Sequence, residues 1–145
     1  MKIKYFYNLN FFKADNEDVF DLGVFSCLKN AEKKKKQAAI KCGFVDNPEN
    51  FRINRIGVKF EDNAEVEKSK TVLYCVWLEY SRSEDNNIVD YFRNFGYYST
   101  KEEALKVAEY NKKYSRAGKK HPEGFLVDKV LVDNDSDWSE GFVSY

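Results

Sequence analysis

Apolar residues recur at every second position at the start of the chain. Ile3, Tyr5, Tyr7, Leu9 and Phe11 alternate with mostly polar neighbours, and the same period of two returns at Val72, Tyr74, Val76, Leu78 and Tyr80. A period of two predicts β-strands, whose successive side chains point to opposite faces. In the later run Leu73, Cys75 and Trp77 fill the alternate positions as well, so that strand is expected to be central or covered on both faces. An acidic, Asn-rich turn follows each run, Asp15-Asn16-Glu17-Asp18 and Glu84-Asp85-Asn86-Asn87. Second aromatic-rich strands are expected over Val19–Phe25 and Ile88–Tyr98, each closing on Gly-x-x-Ser. Turn chemistry between two such runs predicts a hairpin.

Helices are expected next. Ser99-Thr100-Lys101-Glu102 has the form of a capping box, in which the Ser oxygen accepts the N3 amide and the Glu reaches back. Ala104, Leu105 and Ala108 continue as an apolar stripe to about Tyr114. The earlier helix is expected over Asn30–Cys42, with Gly43 placed for a left-handed C-cap. A third strand follows each Pro. Its alternation slips at Asn54-Arg55 and at Asp128-Lys129, which predicts a bulge in each.

The order of elements is thus written twice. Leu22-Gly23-Val24-Phe25-Ser26 matches Phe95-Gly96-Tyr97-Tyr98-Ser99, and Pro48-Glu49-Asn50-Phe51 matches Pro122-Glu123-Gly124-Phe125. Ala31 aligns with Ala104. The expected architecture is α+β: a tandem duplication of a β-β-α-β module, with an antiparallel-rich sheet, helices packed on one face and a pseudo-twofold relation. The first copy spans 1–60, a charged linker 61–70, and the second copy 71–145 with an acidic, aromatic tail. Modules of about 60 residues bury little core alone, so the copies are expected to pack or pair edges.

Composition narrows the chemistry. Of 145 residues, 24 are Lys or Arg and 24 are Asp or Glu, so net charge is zero and general polyanion binding is disfavoured. Hydrophobic residues make up 43%, which suffices for a core. No apolar run approaches the roughly 18–20 residues of a membrane span, and the polar-interrupted start lacks the apolar core of a signal peptide. Cys27, Cys42 and Cys75 are odd in number and widely spaced. Free thiols in the cytoplasm follow, not a disulfide framework. With His121 the only histidine, no zinc site can be assembled by spacing, and neither cofactor nor metal is expected. Asp133-x-Asp135-x-Asp137 has the start of a calcium loop but lacks its Gly and closing Glu.

The second half carries His121-Pro122-Glu123-Gly124-Phe125 and Trp138-Ser139-Glu140-Gly141-Phe142. With Gly96-Tyr97-Tyr98-Ser99 and the helix start at Glu102-Glu103-Ala104, it resembles a family of small bacterial domains. That family's pattern is Gly-x-Tyr-Ser, a helix, His-Pro-Glu-Gly-Phe and a terminal Trp-x-Glu-Gly-Phe. The resemblance covers roughly 71–145 and implies no particular activity.

Three functions compete. His121 and Glu123 would serve an enzyme as base and partner, but the first copy keeps Pro-Glu-x-Phe without the His, so the shared part reads as a turn launching a strand. Lys33-Lys34-Lys35-Lys36 with sheet aromatics would bind nucleic acid, although four consecutive Lys wind right round a helix as a solvated face. The third reading is non-enzymatic: a cytoplasmic immunity protein, similar in class to those of contact-dependent growth inhibition, that binds a cognate toxin 1:1 and occludes it. Its expected contacts are Asp133, Asp135, Asp137, Trp138 and Glu140, with Asp15, Glu17 and Asp18 as a second patch. Acidic edges around an exposed aromatic anchor suit a basic protein partner.

Overall fold

A computed structural model describes residues 1–13, 19–136 and 138–142. The class is α+β, with two antiparallel three-stranded sheets and few helices. The strands are β1 Lys2–Phe12, β2 Val19–Phe25, β3 Phe51–Phe60, β4 Val72–Glu84, β5 Asn87–Tyr98 and β6 Phe125–Leu131; the α-helices are α1 Leu28–Ala39, α2 Lys101–Tyr114 and α3 Arg116–Lys120. The chain divides into two compact units, one of Met1–Thr71 with Leu131–Tyr145, the other of Val72–Val130. The acidic C-terminal segment, expected to extend the 71–145 copy, therefore groups with the first unit.

In the first unit the strand order is β2-β1-β3. Residues Leu9, Phe11, Leu22, Phe25, Ala31, Ala38, Phe44 and Phe51 form one buried cluster beneath α1. Phe11 stands at its centre, edge-on to Phe44 at 4.8 Å and to Phe51 at 5.0 Å. Burying one such ring contributes about 2–3 kcal/mol. α1 starts two residues earlier than expected and ends three earlier. Gly43 is left-handed, at φ +84°, but lies beyond the C-cap residue Ile40.

The expected bulge at Asn54-Arg55 is absent. β3 pairs with β1 without interruption from Phe11↔Phe51 to Lys2↔Phe60. The slipped alternation has another cause: the two strands change which face they bury. Leu9 and Phe11 with Phe51 are buried at one end, Phe6 with Val58 and Phe60 at the other. Consequently Ile3 and Tyr5, read as core from the period of two, are about half exposed, whereas Phe6 is fully buried. The bulge lies instead in β2, where Leu9 pairs with Gly23 and Asn10 with Asp21. Leu22 is the extra residue. Gly23 adopts φ +127°, which a residue with a Cβ rarely does, and its amide donates to Asp21 Oδ1 at 3.1 Å.

The second unit has the order β5-β4-β6, so β4 is central as expected. β4 and β5 form a hairpin across Asp85 and Asn86, at φ 48° and 67°. Two left-handed residues match the right-handed twist of the strands, and Asp and Asn accept that conformation most readily. A bulge interrupts the pairing between Cys75 and Trp77, opposite Gly96 at φ +109°. The Gly96 amide donates to Asn94 Oδ1 at 2.6 Å. α2 is capped one residue later than expected: Thr100, not Ser99, accepts the amide of Glu103 at 3.2 Å. Ala104 and Ala108, one turn apart, are buried against Val76, while Leu105, about 100° round the helix from Ala104, remains 46% exposed. Pro48–Asn50 and Pro122–Gly124 are single 3₁₀ turns that lead into β3 and β6. Among the described residues no helix is long and apolar enough to cross a membrane.

Candidate functional site

The acidic segment after β6 is bound tightly to the first unit. The Val132 amide donates to Thr71 O at 3.1 Å, and the Asp133 amide donates to Val24 O at 2.9 Å. Asp133 adopts φ +64°. Its carboxylate accepts the Ser26 amide at 2.8 Å, the Ser26 hydroxyl at 2.6 Å and the Asn30 side-chain amide at 3.3 Å. The N-cap residue of α1 is Cys27, which supplies no side-chain acceptor. The carboxylate, from 107 residues away in sequence, thus holds Ser26, the residue just before that N-cap, beside a helix start whose partial positive charge favours it.

Further along, Asp135 O accepts Lys34 Nζ at 2.7 Å. Lys34 is only 3% exposed. The Trp138 indole donates to Asp21 O at 3.1 Å and stacks on Phe20 at 4.5 Å. The Phe142 amide donates to Cys42 O at 2.8 Å, and its ring lies edge-on to Phe20 at 4.7 Å and Phe44 at 4.8 Å. Gly43 and Gly141 let the two backbones touch. A Cβ on Gly141 would lie 2.2 Å from Cys42 O, and one on Gly43 would lie 2.5 Å from Phe142 O.

The expected contact residues thus separate. Asp133 and Trp138 are turned into the first unit, and the exposed aromatic anchor expected at Trp138 is a half-buried part of its aromatic cluster. Asp135 and Glu140 are exposed. Asp15, Glu17, Asp18 and Asp137 lie outside the described residues. The Lys run is not a uniform solvated face: Lys33 and Lys36 are exposed, Lys35 is half-buried and Lys34 is buried. The spacing Ala31, Lys34, Ala38 could have located it, since those three share one helix stripe.

Shallow clefts flank Lys34 where α1 meets the acidic segment. One of about 180 Å³ is lined by Asn30, Lys33, Gln37 and Asp135, among others, and one of about 240 Å³ by Lys41 and Trp138, among others. Both fall below the roughly 300–1,000 Å³ of small-molecule pockets. In the second unit His121 stacks on Tyr80 at 4.2 Å with the rings 7° from parallel, while Glu123 is exposed. Gly124 lies directly on β4, where a Cβ would come within 2.2 Å of Glu79 O. His-Pro-Glu-Gly-Phe here shapes a turn against a strand. Among the described residues no three His, Cys, Asp or Glu side chains are grouped to hold a metal ion. The chain matches no protein-family model, and no curated protein and no solved structure is significantly similar to it.

Proposed function

We propose that the chain is a non-enzymatic binding protein, an immunity protein that captures a cognate bacterial toxin 1:1 in the cytoplasm and occludes it. The observation that carries this reading is the fixed acidic segment. Asp133, Trp138 and Phe142 hold it to the first unit by main-chain and side-chain bonds, while Asp135 and Glu140 remain exposed. Carboxylates held in place before binding cost less order to engage than a loose tail would, and they would steer a basic partner. Asp15, Glu17 and Asp18 belong to the same proposal as further toxin contacts. We also read the two units as copies of one β-β-α-β module with pseudo-twofold descent. Both sheets place their first strand in the middle, and both second strands bulge at a left-handed glycine whose amide is bound two residues back. The second copy would then belong to the small bacterial domain family its motifs resemble.

The test is protection and binding with the toxin encoded by the neighbouring reading frame. Asp135→Lys with Glu140→Lys should weaken binding by about two orders of magnitude, the loss of two interfacial charge pairs, without lowering Tm. Unchanged affinity would discard the site. A nucleic-acid module remains the second reading, because Lys29, Lys33 and Lys36 lie together on one open face of α1, with Glu32 among them. Oligonucleotide binding that falls steeply with salt would favour it.

A further inference from the structure

Among the described residues the outer strands of each sheet have one strand neighbour, and such edges are normally blocked. Three of the four edges here carry a block. β3 contains Arg52, Arg55 and Lys59 and no acidic residue, so two copies of it repel. β2 spans only seven residues and is bulged at Leu22, and β6 also spans only seven. β5 is different. It is the longest edge among the described residues, at 12, and pairs regularly with β4 from Asn87 to Asn94, its bulge being confined to the far end.

That regular stretch exposes apolar surface. Ile88 is 80% and Phe92 59% exposed, on the face shared with Glu79 and Ser81. Its charges are mixed, Asp90 and Arg93. From these observations we propose that β5 is a homodimer interface, pairing antiparallel with β5 of a second copy into a continuous six-stranded sheet.

Residue chemistry selects the register. A twofold axis normal to the sheet must pass through one residue position, leaving like faces together. Centred on Asp90, it sets that carboxylate against its own copy. Centred on Tyr91, it sets Asp90 against the Phe92 ring. Centred on Phe92, it pairs the two exposed rings, places Arg93 opposite Tyr91 and Asp90 opposite Asn94. Aromatic and cation–aromatic pairs directly across strands are favourable, and like charges there are not. The Phe92-centred register is therefore assigned. A single strand pair is a small contact beside the roughly 1,200–2,000 Å² of stable interfaces, so the proposed association is a concentration-dependent equilibrium.

Sedimentation equilibrium of the full chain across a wide concentration range tests this. A monomer–dimer equilibrium is expected, and Phe92→Lys should raise its dissociation constant at least about tenfold by setting like charges opposite each other. A single monomeric species at every concentration, or a dimer indifferent to Phe92→Lys, overturns the proposal. For the register, Phe92→Cys in a Cys27→Ser, Cys42→Ser chain should cross-link to itself under mild oxidation, because directly opposed Cβ atoms lie about 4.5–5.5 Å apart. Ile88→Cys should not. Equal cross-linking at both positions overturns the assignment. Both side chains are largely exposed, and circular dichroism verifies that each variant folds.

Discussion

The carboxylate of Asp133 takes both the amide and the hydroxyl of Ser26, at 2.8 and 2.6 Å, and so fixes the residue that precedes the N-cap of α1. Losing the charged acceptor of two part-buried donors costs about 1.5–3 kcal/mol. Asp133→Ala should lower the Tm accordingly. Asp133→Asn should cost less, because Asn tolerates the φ of +64° and keeps an acceptor oxygen. Urea unfolding of the two variants measures the difference.

Gly141→Ala should be more damaging than its size implies. The added methyl meets Cys42 O at 2.2 Å, and the residue sits at φ +77°. Strain of that kind is on the order of 1–3 kcal/mol before any contact is lost. Hydrogen exchange should show faster exchange at Phe142, whose amide is bound to Cys42 O.

Trp138 distinguishes an internal role from an anchoring one. Trp138→Phe keeps an aromatic ring against Phe20 but removes the indole bond to Asp21 O, at a net cost of about 1 kcal/mol. Trp138→Ala removes both and should cost about 3 kcal/mol, the lower end for a large aromatic because the ring is half-buried. A variant that loses toxin affinity without losing stability would contradict the internal placement.

Tyr98 makes stability fall in alkali. Burial, then the negative charges of the nearby Glu103 carboxylate and of the Cys75 thiolate, raise its phenol above the ordinary value near 10. Its hydroxyl donates to Phe95 O. The unfolded chain therefore releases this proton first. The contribution is fully present below pH about 10 and is lost as pH rises through the higher folded value. Thermal melts from pH 8 to 11.5 should show that decline, and Tyr98→Phe should flatten it.

Much of the scaffold was legible because local chemistry specifies it. The aromatic-rich run between an acidic turn and Gly-x-x-Ser located β2 at its observed bounds, and Asp85-Asn86 marked the hairpin turn. Where local signals were degenerate, position slipped: Ser99 and Thr100 have equivalent hydroxyl acceptors, and adjacent residues of the same capping chemistry leave the helix start ambiguous by one. The altered alternation in β3 has two physical causes, an extra residue or a change of buried face, and only the partner strand separates them. The acidic segment was the least legible. Its charges read as solvated, yet Asp133 and Trp138 are committed to groups more than 100 residues away in sequence, a distance over which periodicity carries no information.

The hydrogen bond between Val132 and Thr71 joins the point where the chain leaves the first unit to the point where it returns. This has a consequence for synthesis. Residues 72–130 are contiguous and can close their sheet as soon as they emerge from the ribosome, whereas the earlier-made residues 1–71 must wait for 131–142 to supply Asp133, Trp138 and Phe142. The half of the molecule translated first is thus completed by residues translated after the other half, and a chain cut short near residue 130 would display an aromatic cluster without Trp138 and Phe142.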